Sequence, residues 1–414
     1  MNHAVPAEDP ALAFPVDLAV LGTAVLPQGT VPDAAVLVRG EEIVYAGPRS
    51  EAPAHTATET LESPGLVLPG LVDLHCHGGG GVSFPDCASA DEARIASTEH
   101  LRHGTTSLVG SLVTAPADEL RARVAMLSEL VATGDLAALH LEGPVISPAR
   151  AGAQNPAHIA RGDARLVAEL CAIAGGAIAK MTLAPETEGA QGVMEALAAG
   201  GAVPSLGHTD AGGEQMERGI EQARAALAAH PGRSRVPTAT HLFNGMRPVH
   251  HRDPGPALAC LAATARGEMI VELIGDGVHL DPATVRFVMN LVGPGGAVLV
   301  TDAMAAAGMP DGAYRLGSLD VTVADGVARL ADGGSIAGGT SHLVDVVRTV
   351  VDRAGVDLAA AVHAASAVPA RVLGLEHRIG SLRTGLRADV LVTTPDLRPV
   401  HVVRAGRRVD TGAA

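Results

Sequence analysis

The spacing of hydrophobic positions changes twice along the chain. From Val16 to about Leu68, short apolar runs (DLAVLGTAVL, AAVLVRG, EEIVYAG, GLVLPG) alternate with turn residues, as in short β-strands joined by tight turns. After Pro69 the apolar runs stay short, but Ala-rich amphipathic stretches separate them: TSLVGSLV leads to ADELRARVAMLSELVATG and then to AALHLEGP. The alternation continues through AKMTLAPE, GAVPSLGH, TATHLFNG, MIVELIGDG and AVLVTDAM. Strand then helix, repeated about eight times, predicts an α/β fold of the (β/α)8 TIM-barrel type. A barrel fits better than a doubly wound sheet, because polar residues recur at the carboxyl ends of many successive strands and not at one switch point. Past about Ala370, strand-like runs return in HRIGSLRTG, ADVLVTTP and VHVVRAGRRV. The predicted division is an N-terminal tail over 1–15, a small β-sandwich domain built from both chain ends (16–68 and 371–414), and the barrel over 69–370.

Composition adds limits. With no Trp, two Tyr and four Phe in 414 residues, the core must be aliphatic. A net charge of −15 argues against nucleic-acid or anionic-membrane binding, which need clustered Lys and Arg. An anionic ligand would need a local positive site. The opening residues MNHAVPAEDPALAF lack a basic segment followed by an apolar one, and no apolar run approaches the roughly 18 residues of a membrane span, so a soluble cytoplasmic protein is expected. Cys76, Cys87, Cys171 and Cys260 form no CxxC pair and read as reduced thiols; Cys76, between two histidines, is the one near possible chemistry.

The strand ends carry that chemistry. LPGLVDLHCHGGGG sets His75 and His77 at i and i+2, on one face of a strand, before four glycines. Glu142 ends AALHLEGP, His208 ends VPSLGH, His241 falls in TATHLFNG, and Asp302 follows VLVT. Each alone reads equally well as a surface or core residue. As an ordered set on successive strand ends they supply imidazole and carboxylate ligands for a divalent metal, with one carboxylate left for proton transfer. Downstream of His241, THLFNGMRPVHHRDPG concentrates Asn244, Arg247, His250, His251 and Arg252. Arg247 and His250 read as decoration of a solvated loop. Lys180, the sole lysine, could in principle bridge two metals as a carbamate, but Glu142 already offers a carboxylate, and a structural role is favoured.

The phrases LPGLVDLHCHG, HLEGP, TLAPE, LGHTDA, THLFNGM, GDGVHLD and LVTDAM resemble the amidohydrolase superfamily, and within it the N-acetylglucosamine-6-phosphate deacetylases, over nearly the whole chain. The resemblance implies a metal-dependent barrel with Glu142, His208 and His241 on the main metal and Asp302 as the acid/base. It implies His279 and Arg252 on a sugar phosphate, with Asn244 and Gly245 also meeting the substrate. SIAGGTSHL, residues 335–343, would line the acetyl side. The phosphate clamp is partly supplied by a neighbouring subunit in this family, which implies a homodimer.

Two positions depart from the pattern. Gln154 stands where several members have a histidine twelve residues after the metal-binding Glu; it can still contact substrate but cannot become cationic. His75 and His77 are both present, whereas some members lack the pair, so a second ion bridged by Glu142 is expected. One or two ions per subunit, zinc or else iron, manganese or cobalt, fit these ligands. The implied reaction is hydrolysis of the acetamide of N-acetylglucosamine 6-phosphate by metal-activated water. The alternatives are the galactosamine epimer, another amide, or a catalytically silent sugar-phosphate sensor.

Overall fold

The computed structural model describes residues 13–411. The expected tail lies outside the described residues as far as residue 12, and Phe14 and Pro15 already belong to the first strand. Four strands open the chain: β1 (Phe14–Leu26), β2 (Gly29–Arg39), β3 (Glu42–Pro48) and β4 (His55–Pro69). β5 (Leu71–Cys76) starts the barrel, and β6 (Gly78–Gly79) and β7 (Val82–Ser83) pair as a two-residue loop ladder.

Strand and helix then alternate. α1 (Ala90–Arg102), β8 (Thr105–Leu112), α2 (Ala117–Thr133), β9 (Ala138–Glu142), α3 (Ala164–Ala174) and β10 (Ile178–Leu183) come first. Next are α4 (Ala190–Ala199), β11 (Val203–Leu206), α5 (Gly213–Ala229), β12 (Thr238–Ala239), α6 (Gly255–Ala265), β13 (Ile270–Ile274), α7 (Pro282–Val292) and β14 (Ala297–Val300). A three-stranded antiparallel excursion, β15 (Gly312–Leu316), β16 (Leu319–Ala324) and β17 (Val327–Leu330), precedes α8 (Leu343–Asp352), α9 (Leu358–Ala364) and α10 (Ala367–Val372). The chain ends in β18 (Val390–Thr393), β19 (Pro399–Arg404) and β20 (Arg407–Arg408).

The parallel strands order as β5-β8-β9-β10-β11-β12-β13-β14, a (β/α)8 barrel. Its ends meet through backbone bonds just past the strands: Asp302 N–H to His75 O (2.9 Å) and His77 N–H to Ala303 O (2.7 Å). The first and last strands of the barrel thus join at the residues singled out for chemistry.

The chain ends build a separate seven-stranded sheet in the order β20-β19-β18-β4-β1-β2-β3. Val36 and Val38 pack on one face and Ala35 and Leu37 on the other. Burial of both faces explains why AAVLV is apolar without alternation. HRIGSLRTG, expected as a strand, forms turns instead. Gly380 and Gly385 take φ of 85° and 88°, a left-handed backbone that breaks an extended ladder.

Aliphatic side chains fill the layer between strands and helices, but part of the barrel interior is polar. Ser111, His140, Thr182, Thr240, Ser205 and Thr238 form a continuous buried hydrogen-bonded belt with donor–acceptor distances of 2.6–3.0 Å. No described helix is long and apolar enough to cross a membrane.

Candidate active site

His208, His241 and Asp302 each lie two residues beyond the end of a barrel strand, and each has positive φ: 47°, 27° and 49°. Non-glycine residues rarely accept this conformation, and where they do the strain clusters at functional sites. Gly245 is needed beside them. Its φ is 59°, and a Cβ there would sit 2.9 Å from His208 Nδ1.

Glu142, the last residue of β9, is the hub. Its Oε1 lies 3.0 Å from His208 Nε2, 2.9 Å from His241 Nε2 and 3.7 Å from His75 Nε2; its Oε2 lies 3.1 Å from His77 Nε2. Asp302 Oδ1 stands 3.2 Å and 3.3 Å from the Nε2 atoms of His75 and His77, which are 3.0 Å apart. All six side chains are buried. Burial alone would raise the pKa of Glu142, but His75, His208 and His241 hold it well below the usual carboxylate range. Burial likewise opposes charge on His75, yet Asp302 and Glu142 lift it to about 10. Asp302 is drawn below its ordinary value by His75 and His77 against its own burial.

This donor set fits a divalent ion. His208 Nδ1 lies 2.7 Å from the Arg150 carbonyl, so a neutral ring carries its proton on Nδ1 and turns a lone pair toward Glu142 Oε1. A divalent ion between these two acceptors, 3.0 Å apart, would satisfy both. A second ion would likewise satisfy the paired Nε2 atoms of His75 and His77. Two sets have ligand atoms within 4.8 Å of one another: Glu142, His208 and His241, and His75, His77 and Glu142.

A cavity of about 300 Å³ opens onto this cluster. Gln154, Asn244, Gly245 and His279 line it, as do Ser335, Ile336 and Gly338 from the glycine-rich run. His279 Nδ1 is 2.7 Å from Asp276 Oδ2, which raises its pKa against the effect of burial. Arg252 is not among the lining residues; it is exposed, with Nη1 2.9 Å from His251 Nε2. Arg247 does more than decorate a loop. Partly buried, it bridges Asp210 (3.2 Å) and Asp253 (3.1 Å), and Asp210 also binds Arg150, whose carbonyl holds His208.

Residues 66–409 match the amidohydrolase family. The chain belongs to it. Among its relatives is the N-acetylglucosamine-6-phosphate deacetylase of Lysinibacillus sphaericus, 34% identical over 85% of this chain and 88% of that one. The N-acetylgalactosamine-6-phosphate deacetylase of Escherichia coli O157:H7 is also 34% identical, over 79% and 83%. Among solved structures, a mutant N-acetyl-D-glucosamine-6-phosphate deacetylase of Mycobacterium smegmatis, in complex with N-acetyl-D-glucosamine-6-phosphate, aligns with a TM-score of 0.87 at 36% identity, covering 95% of this chain and 99% of that one. Amidohydrolases of this family depend on divalent metal, and the two His/Glu sets here are of that kind.

In this amidohydrolase some functional groups escape a reading by strand ends. Glu272, in the middle of β13, and Lys180, on β10, form a buried ion pair inside the barrel. Lys180 therefore neither points outward nor offers a free amine for carbamate formation. Cys76 faces away from the cluster: its Sγ bonds Gly78 O (3.4 Å), and burial pushes the thiol pKa well up, leaving it unreactive. All four cysteines are free and buried. A further group, Glu99, His103 and His342, has its ligand atoms close together, but the two rings stack 3.5 Å apart at 9°. Parallel rings cannot both aim in-plane lone pairs at one ion.

Proposed function

We propose that this chain hydrolyses the acetamide of N-acetyl-D-glucosamine 6-phosphate, giving D-glucosamine 6-phosphate and acetate. The observation that carries the reading is the convergence of Glu142, His208, His241, His75 and His77 with Asp302 at the floor of one cavity, in a chain whose relatives bear that name. Glu142, His208 and His241 would hold the main ion, and His75, His77 and the shared Glu142 a second. Zinc suits these ligands best, with iron, manganese or cobalt as alternatives. A bound divalent ion supplies Lewis acidity and lowers the pKa of a bound water from about 15.7 to near 7.

Asp302, ionised and at the edge of the cluster, takes a proton from the attacking water as the new C–O bond forms. It returns that proton to the sugar nitrogen as the C–N bond breaks, so the amine leaves neutral. Gln154 offers a neutral donor to the substrate. His279, biased toward its cationic form by Asp276, and Asn244 would meet the phosphorylated sugar. Arg252, exposed and outside its own cavity, would in a homodimer with a shared clamp meet the phosphate bound in the second subunit. Cytoplasmic residence fits a phosphorylated substrate.

Acetate release from the phosphorylated glucosamine compound, its galactosamine epimer and the unphosphorylated sugar, using metal-free protein reconstituted with single ions, tests the reading. A strong preference for the first, abolished without metal, is expected. Preference for the epimer would move the assignment to the second reading, which the Escherichia coli relative favours. Thermal stabilisation by sugar phosphate without turnover would replace both with a sensor.

A further inference from the structure

Lys180 and Glu272 are 1% and 0% exposed. They come from strands on different sides of the barrel, β10 and β13, and meet inside it. A buried ion pair must overcome the desolvation of two charges and is often replaceable by hydrocarbon without loss of stability. Nearby interior positions, Val72, Ile270 and Val298, are hydrocarbon. A pair retained in such surroundings calls for a directional reason.

The free ends of the pair supply one. Lys180 Nζ occupies Glu272 Oε1. The other oxygen, Oε2, faces His75 Nδ1 at 3.4 Å and the backbone N–H of His241 at the same distance. An ionised carboxylate offers only acceptors. A neutral His75 must therefore place its proton on Nδ1, leaving the Nε2 lone pair toward His77, Asp302 and Glu142 at 3.0, 3.2 and 3.7 Å. An ammonium offers only donors, so Lys180 fixes which carboxylate oxygen remains available and cancels its charge.

We propose that Glu272, locked by Lys180, is a positioning residue that sets the His75 tautomer and thereby creates the second ion site. The inference rests on the two-ion reading above. It predicts an effect of Glu272→Gln that depends on Lys180. With Lys180 present, the carbonyl of the introduced amide must face the ammonium and its NH2 must face His75 Nδ1. His75 then carries its proton on Nε2, where the ion would bind. Replacing Lys180 by Met as well lets the amide turn over and restores the Nδ1–H form.

The test is metal content and second-ion affinity of the purified holoenzyme, with zinc as the probe. Two ions per subunit are expected in the wild type. One is expected in E272Q, with the second-ion Kd raised at least about tenfold, the usual scale for losing a partner of a ligand histidine. Two are expected again in K180M/E272Q. E272Q that keeps both ions at unchanged affinity, or a folded double variant that regains nothing, would overturn the proposal. If the wild type holds one ion, the two-ion reading fails by itself, and histidine 15N shifts decide the positioning role. The signal absent from H75N, recorded where the ring is neutral, must move from Nδ1–H to Nε2–H in E272Q; an unmoved signal refutes it.

Discussion

Gln154 donates its side-chain amide to Glu142 Oε2 at 2.7 Å, and the Thr114 backbone N–H, also 2.7 Å away, fixes which way round that amide sits. The side chain is almost wholly buried yet borders the cavity. Gln154→Leu should leave Glu142 short of a donor and the substrate short of a contact. Hydrogen bonds to charged groups contribute about 1.5–3 kcal/mol, so kcat/KM should fall roughly 10- to 150-fold, at about 1.4 kcal/mol per tenfold. Steady-state kinetics with parallel metal analysis checks this; unchanged kinetics would leave Gln154 a bystander.

Asp302→Asn should yield a folded, metal-bearing protein with kcat lowered about 10²- to 10⁴-fold, the usual worth of a positioned acid/base. Metal analysis separates this from loss of the ion, since Asp302 also neighbours His75 and His77. A variant that retains near-wild-type turnover removes Asp302 from proton transfer.

Arg252→Ala should impair hydrolysis of the phosphorylated sugar, about 10- to 150-fold in kcat/KM for a lost charged hydrogen bond, and leave the unphosphorylated sugar unaffected. A shared clamp makes a stronger prediction. Mixed with D302N, R252A should regain activity, because a hybrid dimer pairs an intact Asp302 from one subunit with an intact Arg252 from the other. Co-expression of the two and assay of the purified hybrid reads this directly; no recovery would place the clamp within one subunit.

The pH dependence of stability should carry a signature of His342. Burial opposes charge on this residue, but Asp345 and Glu99 raise its pKa above the ordinary 6.5. Its contribution is therefore complete below about 6.5 and fades as pH rises through the raised value. The His342 hydrogen bond lowers Glu99 from its ordinary 4.5 against partial burial, and Asp345 is lowered from 3.8 in the same way. Their contribution is complete above those values and fades as pH falls through the depressed ones. His103, stacked on His342, is lowered and works in the opposite sense as pH falls. The gap in melting temperature between wild type and His342→Gln should be widest at about pH 4.5–6.5. A gap that keeps widening above about pH 8 would contradict this.

Lys180→Met alone strands a buried Glu272 charge and should cost roughly 3–5 kcal/mol of stability, as other broken buried pairs do. Denaturant unfolding measures it, and a loss below about 1 kcal/mol would show that water reaches the carboxylate.

The residues beyond strand ends were readable because a barrel exposes the carboxyl end of every strand to one mouth. That rule placed His75, His77, Glu142, His208, His241 and Asp302 together from the sequence alone. It could not see Glu272, which lies in the middle of the apolar run MIVELIG, where a polar residue gives no sign of its partner. The signal was the conjunction: one carboxylate and the sole lysine, each inside a buried strand, had to find each other. The β15–β17 excursion was legible too, in the alternation of LDVTVA between glycine turns, but barrel counting passes over it. Arg247 looked idle because its two partners, Asp210 and Asp253, are set by loop geometry that periodicity does not encode.

The barrel's first and last strands are fastened by the main chain of His75, His77 and Asp302. Two of the residues that close the cylinder, His77 and Asp302, therefore also face the cavity. A chain emerging from the ribosome has His75 and His77 long before Asp302 exists, and can complete neither the wall nor the chemistry until the eighth strand docks. Under the proposed mechanism a half-made chain lacks its proton-transfer group, and loosening that seam should lower activity before the helices melt.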